Sequence, residues 1–507
     1  MTAMANVTTF QIGKVDLELE VVGAGVRQGV LPPPDPSDGW PLDERQMTDL
    51  RAFEAAGWQL QPQPELNWKD VRHLNSGRDI NAGLLAVHPW GGLVVVTDRI
   101  VVNVPPGSPP FDPGPEHGIF EPLGPNSYLL HLRLPDAELL STIRTRLQFL
   151  HNLDGGYAGV VAEPMLAYHL GAAAPRDPDD LDTPQWHWEH IGLKAAWRKG
   201  LTRGKRADGT PVRVAVIDEG FNTGERQFGP ILWSKYIDAD GRPTNDPVPS
   251  GMHGTFCAGL ISARKDGRSV NGAAPDCELI LIAVGTKVQV IDGIASNIAT
   301  QVALAKAIDL CVSGISRRGD DTADVICSSL GPNGQSWELS SELQRAIDNA
   351  QKARGGLGIP IVWSDFDSTT AIKSGSLENY DPILCIAQFN QAHDVVDSGF
   401  GAGVDLAAPG KGLTLINRTG SGCSYAAPCV AGVAALLVAI KPDLGSKGVA
   451  NALTTSCDKP LRPVTNGRND YEGSGRLNAL EAVKLVAPPL WRILLLLASR
   501  IFRKLLH

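Results

Sequence analysis

Three residues with the chemistry of acyl transfer are spaced along the second half of this 507-residue chain. Asp218 closes the run Val214–Ala215–Val216–Ile217–Asp218, His253 lies between Gly251 and Gly254, and Ser424 sits in Gly422–Cys423–Ser424–Tyr425–Ala426–Ala427–Pro428. A carboxylate can orient an imidazole, the imidazole can take a proton from a hydroxyl, and the hydroxyl can then attack a carbonyl. Each residue alone has an ordinary structural reading: an aspartate at a strand end forms turns, a histidine among small residues packs, and a serine before an apolar run caps a helix. The small neighbours of all three let backbone approach closely and leave the reactive group accessible.

The elements that must hold them can be read from periodicity. Val212–Asp218 is an apolar, β-branched run of the kind buried on both faces of a parallel sheet. Further strands are expected at Leu279–Val284, Asp324–Leu330, Ile359–Trp363 and Ile383–Gln388, with helices at Ile294–Cys311, Leu339–Ala353, Cys429–Ile440 and Ser446–Leu453. Strands alternating with helices predict an α/β fold, a doubly wound, mostly parallel sheet whose active groups gather at strand carboxyl ends. Ser424 would stand at a helix N-terminus, where backbone N–H groups and the helix dipole favour negative charge.

Taken together, Val214–Ala215–Val216–Ile217–Asp218–Glu219–Gly220, His253–Gly254–Thr255 with Ala258–Gly259, and Gly422–Pro428 resemble the three signature blocks of the subtilisin-like (subtilase) serine peptidases, in the same chain order. The resemblance covers about residues 185–487. It implies a Ser424 nucleophile, a His253 base, an orienting Asp218 and a polypeptide substrate, laid as an added strand against Ser329, Leu330 and Gly331. That segment also reads as a plain strand-ending turn. Subtilases usually carry an asparagine that donates to the oxyanion; here Asp367 falls at that place, and a carboxylate donates only when protonated. Phe366 stands where glycine is common, on the wall of the pocket for the residue before the cleaved bond, or else turned into the core. Cys257 resembles the extra cysteine of thiol-sensitive subtilases.

Upstream, residues 1–92 carry one helical candidate, Leu42–Gly57, and no assignable role. Residues 93–171 alternate strand, helix and strand and resemble the propeptide-like α+β domain that precedes the peptidase domain in this family. Pro105–Pro110 replaces the first helix such a domain carries. A Pro/Asp linker follows at 172–184, then the peptidase domain at 185–487 and a tail at 488–507. On a helix, the tail gathers Arg492, Arg500, Arg503 and Lys504 on one side, which suits an anionic membrane surface, a protein partner or packing on the domain itself.

The net charge of −9 is not collected into a basic stripe, so nucleic acid is not an expected partner. The eight cysteines, all between Cys257 and Cys457, show no C-x-x-C spacing; buried reduced thiols are expected rather than a metal site. No cofactor is indicated, calcium included. Met1–Val7 lacks the pattern of a secretory signal, and a cytoplasmic setting is expected, with peripheral membrane attachment left open. Three readings follow: a serine endopeptidase held in check by its N-terminal region, a weakly active or inactive relative serving as a regulated binding module, and a membrane-associated scaffold.

Overall fold

The computed structural model describes residues 6–27, 42–61, 82–173 and 185–488, with short interruptions at 90, 112–113, 115–116, 133–138, 154–156, 158, 265–270, 292–293, 317, 333 and 416–417. Most of the 172–184 linker and the 490–507 tail therefore lie outside the described residues.

The peptidase-like region builds an eight-stranded sheet. Its spatial order is Pro243–Thr244, Ile231–Ile237, Glu278–Val284, Arg213–Asp218, Val325–Ser328, Ile361–Ser364, Ile383–Phe389 and Val404–Pro409. All neighbours are parallel except the two-residue edge strand. Because side chains alternate along a strand, Arg213–Asp218 feeds two cores. Val214 and Val216 join Phe256, Tyr425 and Leu436 of the helices Met252–Ser262 and Cys423–Ile440 on one face. Ala215 and Ile217 join Leu304 and Leu343 of the helices Gln301–Ser313 and Ser341–Ala350 on the other.

The Cys423–Ile440 helix starts six residues before the expected Cys429. Pro428 falls in the second turn of this helix, past the first turn where proline is readily tolerated. A proline there has no N–H for the carbonyl of Ser424. That carbonyl accepts instead from Ser329 Oγ at 2.8 Å and Cys257 Sγ at 3.4 Å. By length and apolar composition this helix could cross a membrane, but 94 % of it is buried inside the protein, as a core helix is.

The N-terminal part folds as an antiparallel sheet of ten strands. Its main path runs Asn6–Ile12, Val15–Arg27, Ala82–Val87, Leu93–Asn103, Val161–Ala173, Ile294–Thr300 and Gln289–Ile291. Trp58–Gln61 pairs with Val15–Arg27, and the hairpin Gly118–Gly124/Ser127–Leu132 pairs with Leu93–Asn103. Hydrogen bonding runs straight across the boundary expected at 92/93, since Ala82–Val87 pairs with Leu93–Thr97. The candidate helix forms as Glu44–Ala55, with Asp43 and Gln46 making a reciprocal capping box. The Pro105–Pro110 stretch is irregular, as its prolines require.

The last two strands on that path come from the peptidase region and correct the expected Ile294–Cys311 helix. Ile294–Thr300 is a strand paired antiparallel with Val161–Ala173, from Ile294 opposite Ala173 to Thr300 opposite Ala167. The helix begins only at Gln301, after Thr300 caps it by accepting the Ala303 N–H. A segment of small and β-branched residues is undecided locally, and a partner more than a hundred residues away decides it. The two inner helices Gln301–Ser313 and Ser341–Ala350 thus share a core with both sheets, in which Val96 and Tyr168 join Ala303, Ile347 and Ile217. Glu163 ties the layers polarly, accepting from the backbone N–H and Oγ of Ser341, both at 2.9 Å, and from Gly13 N–H at 2.7 Å. Arg99 reaches Asp240 at 3.1 Å.

Thr300 also donates its hydroxyl to the Ala239 carbonyl at 2.6 Å, and it is fully buried. Thr300→Ala should lower unfolding free energy by about 1–2 kcal/mol, the usual loss for a cap plus a buried hydrogen bond. A urea denaturation midpoint that falls without a change in slope would register it.

Candidate active site

Asp218 is the last residue of its strand and His253 the second of its helix. A side chain on Gly254 would meet the Gly220 carbonyl oxygen at 2.3 Å and Asp218 Cβ at 2.8 Å, so only glycine lets the helix come this close. The result is a hydrogen bond from His253 Nδ1 to Asp218 Oδ1 at 2.8 Å, with both side chains at most 1 % exposed. Ser424 stands second in its helix, 8 % exposed, behind Gly422 at φ 151°. A side chain on Gly422 would run into Asp367 Oδ2 at 2.8 Å.

The nucleophile candidate lies beside this pair. Cys257 Sγ is within 4.8 Å of the nearest ligand atoms of Asp218 and His253 and 3.4 Å from the Ser424 carbonyl, while the Tyr425 ring packs 5.5 Å from the His253 ring. Burial pushes the Cys257 thiol well above its ordinary value, so it stays protonated and donates. Ser424 Oγ lies 3.4 Å from the Ser329 carbonyl oxygen, and no hydrogen bond joins it to His253 Nε2, which is buried without a partner. The structure therefore brings Asp218 and His253 into contact and sets Ser424 next to them, its hydroxyl turned to Ser329.

Four carboxyl groups gather here, two of them expected. Asp367 Oδ1 accepts the Cys423 N–H at 2.6 Å, one residue before Ser424, which is where the oxyanion donor was expected. Burial raises its pKa, against the pull of the Cys423 hydrogen bonds and of His253. Glu219 was not singled out, although an acid directly after Asp218 and before a glycine was a visible signal. It is 3 % exposed, and its N–H donates to Asp218 Oδ1 at 2.8 Å. Burial pushes Glu219 up to about 7. Asp365 is the other addition; burial drives its pKa well above the carboxylate range, and its Oδ1 accepts the Phe366 N–H.

Burial opposes a charged imidazole, yet Asp218, Glu219 and Asp367 outweigh it and raise His253 to about 9.

Of the expected substrate-binding residues, Ser329 is tied to the Ser424 carbonyl and Leu330, 5 % exposed, accepts the Trp363 indole N–H at 2.7 Å. A side chain on Gly331 would meet nothing within 4 Å. Phe366 is 7 % exposed and packs so tightly on Gly399 that a side chain there would touch its ring. Beside this segment runs the chain's own strand: Leu170 forms an antiparallel bridge with Pro332.

Glu219→Gln removes one of the charges holding the proton on His253 while keeping the size and shape of the side chain. The imidazole should then titrate below its position near 9, followed by the ring resonances of His253 in NMR.

Among curated proteins, the chain is 26% identical over 370 residues to the calcium-dependent protease of Trichormus variabilis, covering 60% of this chain and 51% of that one. It is 27% identical to thermitase of Thermoactinomyces vulgaris, over 61% of this chain and 99% of thermitase, and 30% identical to mycosin-4 of Mycobacterium tuberculosis, over 57% and 67%. The chain thus spans about half the length of the calcium-dependent protease it matches. Residues 209–475, which contain Asp218, His253, Asp367 and Ser424, match the model of the subtilase family, and the chain belongs to that family.

Proposed function

We propose that the chain is a serine endopeptidase in which Ser424 is the nucleophile, His253 the general base and Asp218 its orienting acid. The observation that carries this reading is the buried Asp218–His253 hydrogen bond beside the Ser424 backbone. Ser424 Oγ bonds to the scissile carbonyl carbon as its proton passes to His253 Nε2. The same proton leaves with the amine as the C–N bond breaks, and water then hydrolyses the acyl ester by the reverse route. The base works only when neutral. Its pKa lies above the unperturbed value, so the protonated imidazole persists up to about 9, and the hydrolytic rate rises as pH climbs through that point.

Asp367 acts in the opposite sense. As the oxyanion donor it functions only while protonated, and a carboxyl with a raised pKa loses its proton as pH rises. The two requirements pull in opposite directions, the base working at high pH and the donor at low pH, and together they depress the peak rate. Asp367→Asn keeps a donor at all pH values, so kcat should rise by up to about 10²–10³-fold and the alkaline fall should disappear. An unchanged pH–rate profile would remove Asp367 from the oxyanion site.

The N-terminal region restrains this site in the same reading. Val161–Ala173 pairs along Ile294–Thr300 and bridges Pro332 through Leu170. That bridge lies three residues from Ser329, whose carbonyl faces Ser424 Oγ. The strand thus lies as an extended substrate would. Leu170 is 2 % exposed, and Leu170→Asp should loosen the strand and speed labelling of Ser424 by a fluorophosphonate probe. Equal rates in the native and variant chains would exclude restraint in cis. A second reading, a binding module without turnover, is favoured by the Ser424 hydroxyl facing Ser329 and by the acid at 367; absence of label in both chains would establish it.

Calcium dependence, named for one of the relatives, belongs to that protein. Among the described residues, the group of acidic, thiol and imidazole side chains close enough to share an ion is Asp218, His253 and Cys257. One carboxylate with an imidazole and a thiol is a poor match for an ion that takes 6–8 oxygens, and no step here runs through it.

A further inference from the structure

At the amino ends of the strands, away from Asp218, lies an open cavity of about 590 Å³ with a concentrated positive charge. Lys194, Arg198, Arg203, Lys205 and Arg206 line it with Trp197, and Asp276 is the one carboxylate among the lining residues. It abuts the start of the sheet, since Val212 N–H donates to the Gly204 carbonyl and Asp276 N–H to the Arg203 carbonyl. From there to Asp218 is roughly 17 Å of strand. In a chain of net charge −9 such a cluster is unexpected.

Two of the five cations are already held in place. Arg206 pairs with Asp324 at 2.5 Å, while Arg203 reaches Asn271 Oδ1 at 3.2 Å and stacks over Trp197 at 4.9 Å, leaving its buried Nε without a hydrogen-bond partner. The Trp197 indole N–H is itself fixed on the Ala273 carbonyl at 2.8 Å. Lys194, Arg198 and Lys205 are exposed and have no acidic partner among the described residues. A cation in the last turn of the Leu193–Gly200 helix complements the helix dipole, which accounts for Arg198. It does not account for Lys194 in the first turn, where positive charge opposes the dipole.

We propose that this cavity binds a ligand carrying two or more phosphate groups. Guanidinium forks match phosphate oxygens in pairs, lysines add point charge, and the volume is that of a small-molecule site. The ligand is either a free polyphosphorylated molecule or an anionic lipid headgroup. The headgroup is a real alternative because the helix Ala479–Val486, after which the basic 490–507 segment follows in sequence, packs on Leu193–Gly200. Binding there would leave the Asp218–His253 end of the sheet facing away.

The test uses the full chain and its Lys194→Ala/Arg198→Ala variant, both exposed positions, with thermal unfolding to verify that the variant is folded. Inorganic pyrophosphate is titrated calorimetrically at low salt, and phosphatidylcholine vesicles with and without cardiolipin are tested by co-sedimentation. Pyrophosphate binding that weakens about tenfold or more in the variant and tightens in Asp276→Asn supports the site with a free ligand. Binding only to cardiolipin vesicles, whose headgroup carries two phosphates, lost in the variant, supports it with a headgroup. Absence of binding to either probe, or binding that the substitutions leave unchanged, overturns it.

Discussion

The interaction on which the rest depends is the pairing of Ile294–Thr300 with Val161–Ala173. A strand beside the Ser329–Gly331 segment, with a row of N–H and C=O groups on its edge, has to be satisfied by something. Here the satisfying strand belongs to the same chain, and it joins an antiparallel sheet of ten strands to a parallel sheet of eight through two shared helices. The division into an N-terminal part and a peptidase part is real in sequence, yet one hydrophobic cluster spans both. On the proposed reading, the strand that completes this architecture also stands where an extended substrate would lie.

Around His253 a second constraint operates. Asp218, Glu219 and Asp367 all act on one imidazole in surroundings nearly free of solvent. Such a cluster cannot carry every charge at once, and the groups settle it by sharing protons, with Glu219 and Asp367 shifted up and His253 shifted up as well. The helix that carries Ser424 solves a different problem, the missing N–H of Pro428, by borrowing a hydroxyl from Ser329 and a thiol from Cys257. Position and chemistry are therefore set by the same few side chains.

Much of this was legible in the sequence. The strand ending at Asp218 announces itself through unbroken β-branched residues, and the glycines beside His253 and Ser424 mark the close approaches later seen at Gly254 and Gly422. What was not legible depended on distant partners. Ile294–Thr300 reads as the start of a helix until a strand from the other part of the chain lies beside it. Pro428 reads as a helix boundary until the neighbours that satisfy the Ser424 carbonyl are in place. Glu219 reads as a second acid in a turn, and only burial beside the helix N-terminus gives it work. Phe366 was undecided from its neighbours alone, and contact with Gly399 settles its packing.

The register that sets Thr300 opposite Ala167 also has a consequence for concentration. Under the restraint proposed above, while the backbone between 173 and 185 is continuous the strand and its groove are tethered, and the strand would rebind as though present at roughly millimolar level. A single cut in that connection would turn an intramolecular contact into an association between two molecules. Its occupancy would then follow dilution, and a cleft that no mutation or pH change had opened could empty simply by the fragments drifting apart.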